Sequence, residues 1–392
     1  MSRRIEGDGG PAARRGGMLR TAVAGLLLAA TGAPAGELRL NEIQLLGTHN
    51  SYRIRPPEPL WSLLQGLPVT GAGNPADLDY GHPPLPQQLA AGIRSVELDL
   101  YADPDGGRYA RRLGLSIAGA VGGDGLDDAD RRALAAPGIK VLHMPDFDFG
   151  TNHLTLRAAL EAVKEWSSAH PRHLPVVVHL ETKDETVRLV PLPGLAVAAA
   201  WDADACRRLD AEIDACFPAA GRGVFTPDAL RGTHASLPEA LAAEGWPTVE
   251  DLRGRVLFVM EGVAVGPYLE PDPRLAGRRC FVYGRPGDPG TAFLLMNDPL
   301  DQRDAIALRV REGYMVRTRA DAGTREARSG MTDRREAALA SGAQIVSTDY
   351  PWPDPRGGRE EGWTDYAVRL PGGGVARPNP VSAPEAPSPP AE

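Results

Sequence analysis

The sequence predicts a closed (β/α)8 barrel of the TIM type in one domain, and three observations carry that expectation. Eight short runs rich in Val, Ile and Leu alternate with helix-like stretches, as parallel strands buried on both faces should. Four consecutive runs end in polar groups, where barrels carry their chemistry. The first run is not followed by the G-x-G-x-x-G turn of an open dinucleotide-binding sheet, which disfavours a doubly wound alternative. With 392 residues, 42% of them hydrophobic and 24% charged, the chain has material for one large barrel core.

Taken in order, residues 1–35 stand apart. Arg14, Arg15 and Arg20 precede an apolar stretch over 21–30, closed by Ala33-Pro34-Ala35. A basic segment, a short apolar one and an A-x-A end read as a secretory signal peptide, so the expected destination is secreted or periplasmic. The apolar stretch is shorter than the ~20 residues a membrane-spanning helix needs. The barrel is then expected over 36–371. Its strands are expected at 42–46, 94–100, 139–143, 175–181, 255–261, 292–297, 313–319 and 343–349, with 280–284 as an additional short candidate. Leu156, Leu160, Val163 and Trp166 mark one face of a helix over 155–168. The Pro- and Gly-rich segment 53–82 is expected as an ordered loop over the barrel mouth, and 106–138 as a long loop without an assigned role. From 372 to 392 the chain turns to Pro, Ala, Ser and Glu and is expected to be disordered.

Charge and cysteine content narrow the function classes. The formal net charge is −8, and removing the basic leader makes the remainder more acidic still. That argues against a nucleic-acid partner, which would require a basic face. It also means that long-range fields do not draw the chain to anionic lipid, so any membrane contact has to be local. Cys206 and Cys216 flank a helical stretch that would hold them roughly 15 Å apart, too far for a disulfide. Cys280 has no evident partner, and no zinc spacing is present.

The strand ends carry the chemistry. The first run leads into Gly47-Thr48-His49-Asn50, the second contains Glu97 and Asp99, the third ends at His143, and the fourth at Glu181 and Lys183. Residues two apart on a strand point to the same side, so Glu97 with Asp99, and Glu181 with Lys183, share faces. Three carboxylates brought together cannot all stay ionised without a cation. With the Asn50 amide they form an oxygen set suited to Ca²⁺, ahead of Mg²⁺, and not to zinc. Singly, each carboxylate reads more simply as a salt-bridged strand end; it is the set that points to a metal. His49 and His143, on runs expected to be near neighbours, are candidates for an acid/base pair. His179 is read as structural. Lys183 is one of three lysines, with Lys140 and Lys164, among 43 basic residues, and suits a compact phosphate contact. Arg317 and Arg319 on one face of the seventh run could clamp a phosphate; their plainer reading is a salt bridge to Asp321 or a neighbouring carboxylate.

These residues resemble a known family. The runs around His49-Asn50, Glu97-x-Asp99, His143 and Glu181-x-Lys183 are similar to the catalytic half of phosphoinositide-specific phospholipases C, the bacterial calcium-dependent group above all. The runs around Arg317, Arg319 and Thr348-Asp349-Tyr350 look similar to the other half; the T-D-Y element, shared with glycerophosphodiesterases, is weak alone. The resemblance spans 40–351. It implies a calcium-dependent phosphodiesterase on one catalytic barrel, with Asn50, Glu97, Asp99 and Glu181 as calcium ligands. His49 would stabilise the pentacoordinate phosphorane, His143 would protonate the departing diacylglycerol oxygen, and Lys183 would contact phosphate or inositol hydroxyls. The implied partner is a phospholipid at a membrane surface, with no protein partner indicated. Two rivals stand beside it. A glycerophosphodiester phosphodiesterase or sphingomyelinase D-like lyase would place a second histidine soon after the first, and His82 is the candidate. A non-catalytic lipid- or sugar-binding barrel would not need both histidines and the full metal set.

Overall fold

The computed structural model describes residues 37–66, 74–119, 125–184, 193–218, 223–389 and 392. The leader over 1–35 lies outside the described residues, as do parts of the 53–82 and 106–138 segments.

Eight parallel strands form the barrel: β1 (Ile43–Thr48), β2 (Ser95–Tyr101), β4 (Val176–Lys183), β5 (Val256–Gly262), β6 (Cys280–Tyr283), β7 (Thr291–Leu295), β8 (Met315–Arg319) and β9 (Ile345–Thr348). Two short strands, β3 (Lys140–Val141) and β10 (Ala376–Pro378), join from outside. Neighbouring barrel strands pair in sequence order from β4 through β9 to β1, and a Gly47–Ser95 pairing closes the ring between β1 and β2. The seam requires glycine: a Cβ on Gly47 would stand 2.8 Å from the Ser95 Cβ. Every residue of β2 is buried, because one face looks into the barrel and the other onto helices.

The helix Leu156–Ala169 shows how the outer layer attaches. Thr155 caps it by accepting from the Ala158 N–H at 3.1 Å, and Leu156, Ala159, Leu160, Val163 and Trp166 lie buried along one stripe. The helix Ala203–Cys216 repeats the pattern, with Asp202 as its cap and Leu209 and Ile213 inward. Its Cys206 and Cys216 are buried free thiols, as is Cys280. No helix among the described residues is long and apolar enough to cross a membrane.

Two expectations are corrected here. The run 139–143 is not a barrel strand: only Lys140–Val141 pair, antiparallel, with β2. The short candidate at 280–284 supplies the missing member as β6. Apolar content alone could not separate a buried excursion from a barrel strand, since both exclude water. The tail is the second correction. Residues 376–378 pair antiparallel with Ile43–Leu45 of β1, the half of β1 below its single contact with β2. The edge left open there has unpaired backbone groups to satisfy, a demand that tail composition does not reveal. Asn379 follows, fully buried, donating to the Gly342 carbonyl at 2.7 Å.

Candidate active site

The barrel register assembles the acidic cluster. Asp99 on β2, Glu181 on β4 and Glu261 on β5 are successive Cα partners across three strands, forming one row. Glu97 and His179 pair on the row beneath. Carboxylate oxygens of Glu97, Asp99 and Glu181 all lie within 4.8 Å of one another. Asn50 reaches the same end: its neighbour Ser51 donates its N–H to the Glu97 carbonyl (2.9 Å) and accepts from the Glu97 N–H (2.7 Å). Asn50 adopts a left-handed backbone (φ 47°), a conformation asparagine tolerates better than most residues.

These residues fit a calcium ion. The Asn50 Oδ1 is buried with no hydrogen-bond partner, as are both carboxylate oxygens of Asp99. Lys183 Nζ stands 2.6 Å from Asp99 Oδ2 and 3.5 Å from Glu181; the contact with Asp99 is electrostatic rather than an aligned hydrogen bond. A second triplet, Glu97, His179 and Glu261, is equally compact, but His179 Nε2 is engaged with Glu261 at 2.6 Å, and a nitrogen donor suits calcium poorly. Four carboxylates (Glu97, Asp99, Glu181, Glu261) face two fixed cations, Lys183 and Arg317. The excess of two negative charges matches one divalent ion.

The electrostatics agree with crowding of like charge. Burial, together with Glu181 and Glu97, raises the Asp99 carboxyl well above its ordinary value against the pull of Lys183. Burial raises Glu181 as well, helped by Glu97 and Glu261. Burial would also raise Glu97, but Arg317, His179 and His49 outweigh it and hold it low. Burial would lower Lys183, yet Asp99 and Glu181 lift it above the usual lysine range.

Two imidazoles flank this cluster, each tied through Nδ1 to a carboxylate. His49 Nδ1 lies 2.9 Å from Asp349 Oδ1 and 3.2 Å from the Tyr80 hydroxyl, while Arg319 Nη1 faces its Nε2 at 3.3 Å. Because a guanidinium only donates, Nε2 accepts and Nδ1 carries the proton toward Asp349. His143 Nδ1 lies 2.7 Å from Asp148 Oδ2, which also accepts from Arg53 Nε at 2.9 Å. Burial lowers both imidazoles, helped by Arg319 at His49 and by Lys183 at His143. Tyr80 joins the two stations, its ring 4.5 Å beneath the Arg53 guanidinium and its hydroxyl on His49.

The structure therefore brings His49, Asn50, Glu97, Asp99, His143, Glu181 and Lys183 to one barrel end. Arg317 sits buried against Glu97 and Ser347, and Arg319 pairs with Asp349 at 2.9 Å, the plainer of the two sequence readings for both. His82 is buried and spends Nε2 on the His49 carbonyl (3.0 Å), so it does not present a second site-facing imidazole. Sequence reasoning named Asp349 only within the T-D-Y element, without a role, and missed Asp148, Arg53, Tyr80 and Glu261. Glu261 carried a readable signal, closing the fifth expected strand as Glu181 closes the fourth.

Comparison with known proteins adds the following. The family model described as "Phosphoinositide phospholipase C, Ca2+-dependent" matches residues 38–380. The fold is similar to a calcium-dependent phosphoinositol-specific phospholipase C from Pseudomonas sp. in its myoinositol complex, with 16% identity, 88% of this chain and 96% of that chain covered, and a TM-score of 0.52. An apo crystal form of that protein matches at 17% identity, 88% and 97% coverage and a TM-score of 0.50. A Ca²⁺-dependent phosphatidylinositol-specific phospholipase C from Streptomyces antibioticus matches at 16% identity, 80% and 95% coverage and a TM-score of 0.49. No curated protein matches the chain.

Proposed function

This chain belongs to the Ca²⁺-dependent phosphoinositide phospholipase C family, and we propose that it is exported and cleaves phosphatidylinositol-type lipids to diacylglycerol and inositol phosphate through a cyclic inositol phosphate. The observation that carries the reading is the pairing of an oxygen-lined acidic cluster with two imidazoles, each backed by its own aspartate.

Asn50, Glu97, Asp99 and Glu181 would hold the calcium ion, which when bound lowers the pKa of the attacking inositol hydroxyl and neutralises phosphoryl charge. The ring hydroxyl attacks its own phosphorus, and its proton passes to a carboxylate of the acidic row. The bond from phosphorus to the glycerol oxygen breaks, and that oxygen takes a proton from His143 Nε2. Asp148, held ionised beside Arg53, supports the imidazolium that this role demands. His49, kept neutral and aimed by Asp349 through its Nδ1–H, accepts from Arg319 at Nε2 and so holds that guanidinium toward the non-bridging phosphoryl oxygens. Lys183, between Asp99 and Glu181, lies where it can contact phosphate or a ring hydroxyl. Water then opens the cyclic ester, with His143 acting as base.

A membrane-surface substrate fits three exposed apolar side chains on segments that follow barrel strands: Ile54 after β1 (44% exposed), Val197 after β4 (62%) and Val263 after β5 (43%). The basic-then-apolar leader supports export, and amino-terminal sequencing of protein recovered outside the cell tests it. The decisive experiment incubates the protein with phosphatidylinositol, with and without a calcium chelator. Diacylglycerol plus inositol phosphate, abolished by chelation, is the expected result; phosphatidic acid or glycerophosphate would refute it.

A further inference from the structure

Three arginines from the segments after three adjacent strands converge on one buried carboxylate beside the mouth. Asp79 Oδ1 accepts from Arg55 Nε and from Arg356 Nη1 (2.8 Å), and Oδ2 accepts from Arg328 Nη2 (2.6 Å). Arg55 follows β1, Arg328 follows β8 and Arg356 follows β9, the strands whose ends place His49, Arg319 and Asp349. Asp354 is engaged by Arg356 through Nε and Nη2. Three guanidiniums thus face two carboxylates, leaving one positive charge in excess.

The arginines are held rather than loose. Arg55 lies 4.8 Å over the Trp61 ring, and Arg328 and Arg356 lie over Trp363 at 4.1 and 3.7 Å. Their donors are not all spent. Arg55 Nη1 and Nη2 and Arg328 Nη1 make no hydrogen bond among the described residues, and the two side chains are 38% and 34% exposed. Planar donor forks fixed in place with free N–H groups suit a phosphate. Exposed Ile54 precedes Arg55 on the same segment, pairing an apolar side chain with a cation as interfacial anchors do.

We propose that Arg55 and Arg328, fixed by Asp79, Trp61 and Trp363, form an anion subsite for the phosphate of a bilayer lipid neighbouring the one being cleaved. The inference rests on the lipid substrate proposed above. It also answers how a chain of net charge −8 meets an anionic surface: through short-range cations at the mouth, since the long-range field opposes approach.

The test is co-sedimentation with phosphatidylcholine vesicles made with and without phosphatidylglycerol. Wild type should bind the phosphatidylglycerol vesicles more tightly. Arg55→Gln should weaken that binding about five-fold and Arg55→Gln/Arg328→Gln about 25-fold, from ~1 kcal/mol per arginine at a charged surface. Cleavage of monomeric short-chain phosphatidylinositol should not change. Should the double variant fail to fold, Arg55→Gln alone leaves Asp79 paired with Arg328 and Arg356. Undiminished binding of the variants to phosphatidylglycerol vesicles would overturn the subsite, as would an equal loss on both vesicle types. A loss confined to cleavage of phosphorylated head groups, with vesicle binding intact, would overturn the neighbouring-lipid assignment. Failure of wild type to cleave phosphatidylinositol would sink the enzymatic reading while the vesicle data still judge the subsite.

Discussion

The two histidine stations have the same parts but are tuned to different degrees: burial pushes both imidazoles down, His49 well below its ordinary value and His143 less so, because Asp148 pulls back on it. Each holds an imidazole by Nδ1 on a buried aspartate, and each has an arginine in contact. At His143 the arginine is behind the carboxylate: Arg53 grips Asp148, and although burial would raise that carboxyl, Arg53 and His143 hold it low. At His49 the carboxylate also meets an arginine, Arg319 at 2.9 Å, but a second acid stands behind it. Asp321 accepts from the Asp349 N–H at 2.9 Å and from the Thr348 hydroxyl. Burial raises Asp349, and burial plus Asp349 pushes Asp321 up to about 7. A carboxylate that stays ionised favours an imidazolium; a weakened one, with Arg319 across the ring, favours neutral imidazole. Acid and orienting roles are thereby separated by what stands behind each aspartate, as elsewhere when two like groups are driven apart by environment.

The largest expected effect separates the roles directly. His143→Ala should cut kcat on phosphatidylinositol by about 10³ to 10⁴ and recover much of it on a substrate whose leaving group needs no proton, such as a nitrophenyl ester. His49→Ala should show no such recovery. Equal rescue of both variants would erase the distinction.

Asp148→Asn should next show a double penalty. It removes the support of the imidazolium, and it strands Arg53, fully buried, without its counter-charge. Loss of about 3–5 kcal/mol is expected from denaturant unfolding. Asp349→Asn should lower kcat about 10²-fold by upsetting the His49 tautomer with a smaller stability cost, because Arg319 retains partial exposure.

The smallest effect concerns Asp321. A carboxyl raised by folding contributes stability that is fully present below its unfolded pKa near 3.9 and declines as pH rises toward the folded value of about 7. Asp321→Asn should therefore raise Tm at pH 8, by about 1–2 kcal/mol of stability, with the advantage shrinking toward pH 4. A pH-independent difference would mean that Asp321 serves only as a hydrogen-bond acceptor.

How much of this was legible follows from the same contrast. Glu97, Asp99, Glu181 and Lys183 could be read because strand alternation fixes which side chains share a face. Asp148 lies only five residues from His143, but in a turn, where no alternation marks which side chains face the site. Asp349 lies 300 residues from His49, and only ring closure through β9 and β1 brings them together. Arg53 and Tyr80 belong to the segment over the mouth, where no periodicity says which side chains turn inward.

The in-register row of Asp99, Glu181 and Glu261 has a further consequence. Its spacing is that of neighbouring strands, about 4.8 Å, so the backbone hydrogen-bond ladder acts as the ruler for the ion's seat. A change of head group is then a matter for the connections at the mouth, the one over 106–138 above all, since 53–82 also carries the Arg53 and Tyr80 that brace the two imidazoles. Lengthening Asp99 to Glu moves one rung's carboxylate by a methylene that the ladder cannot absorb.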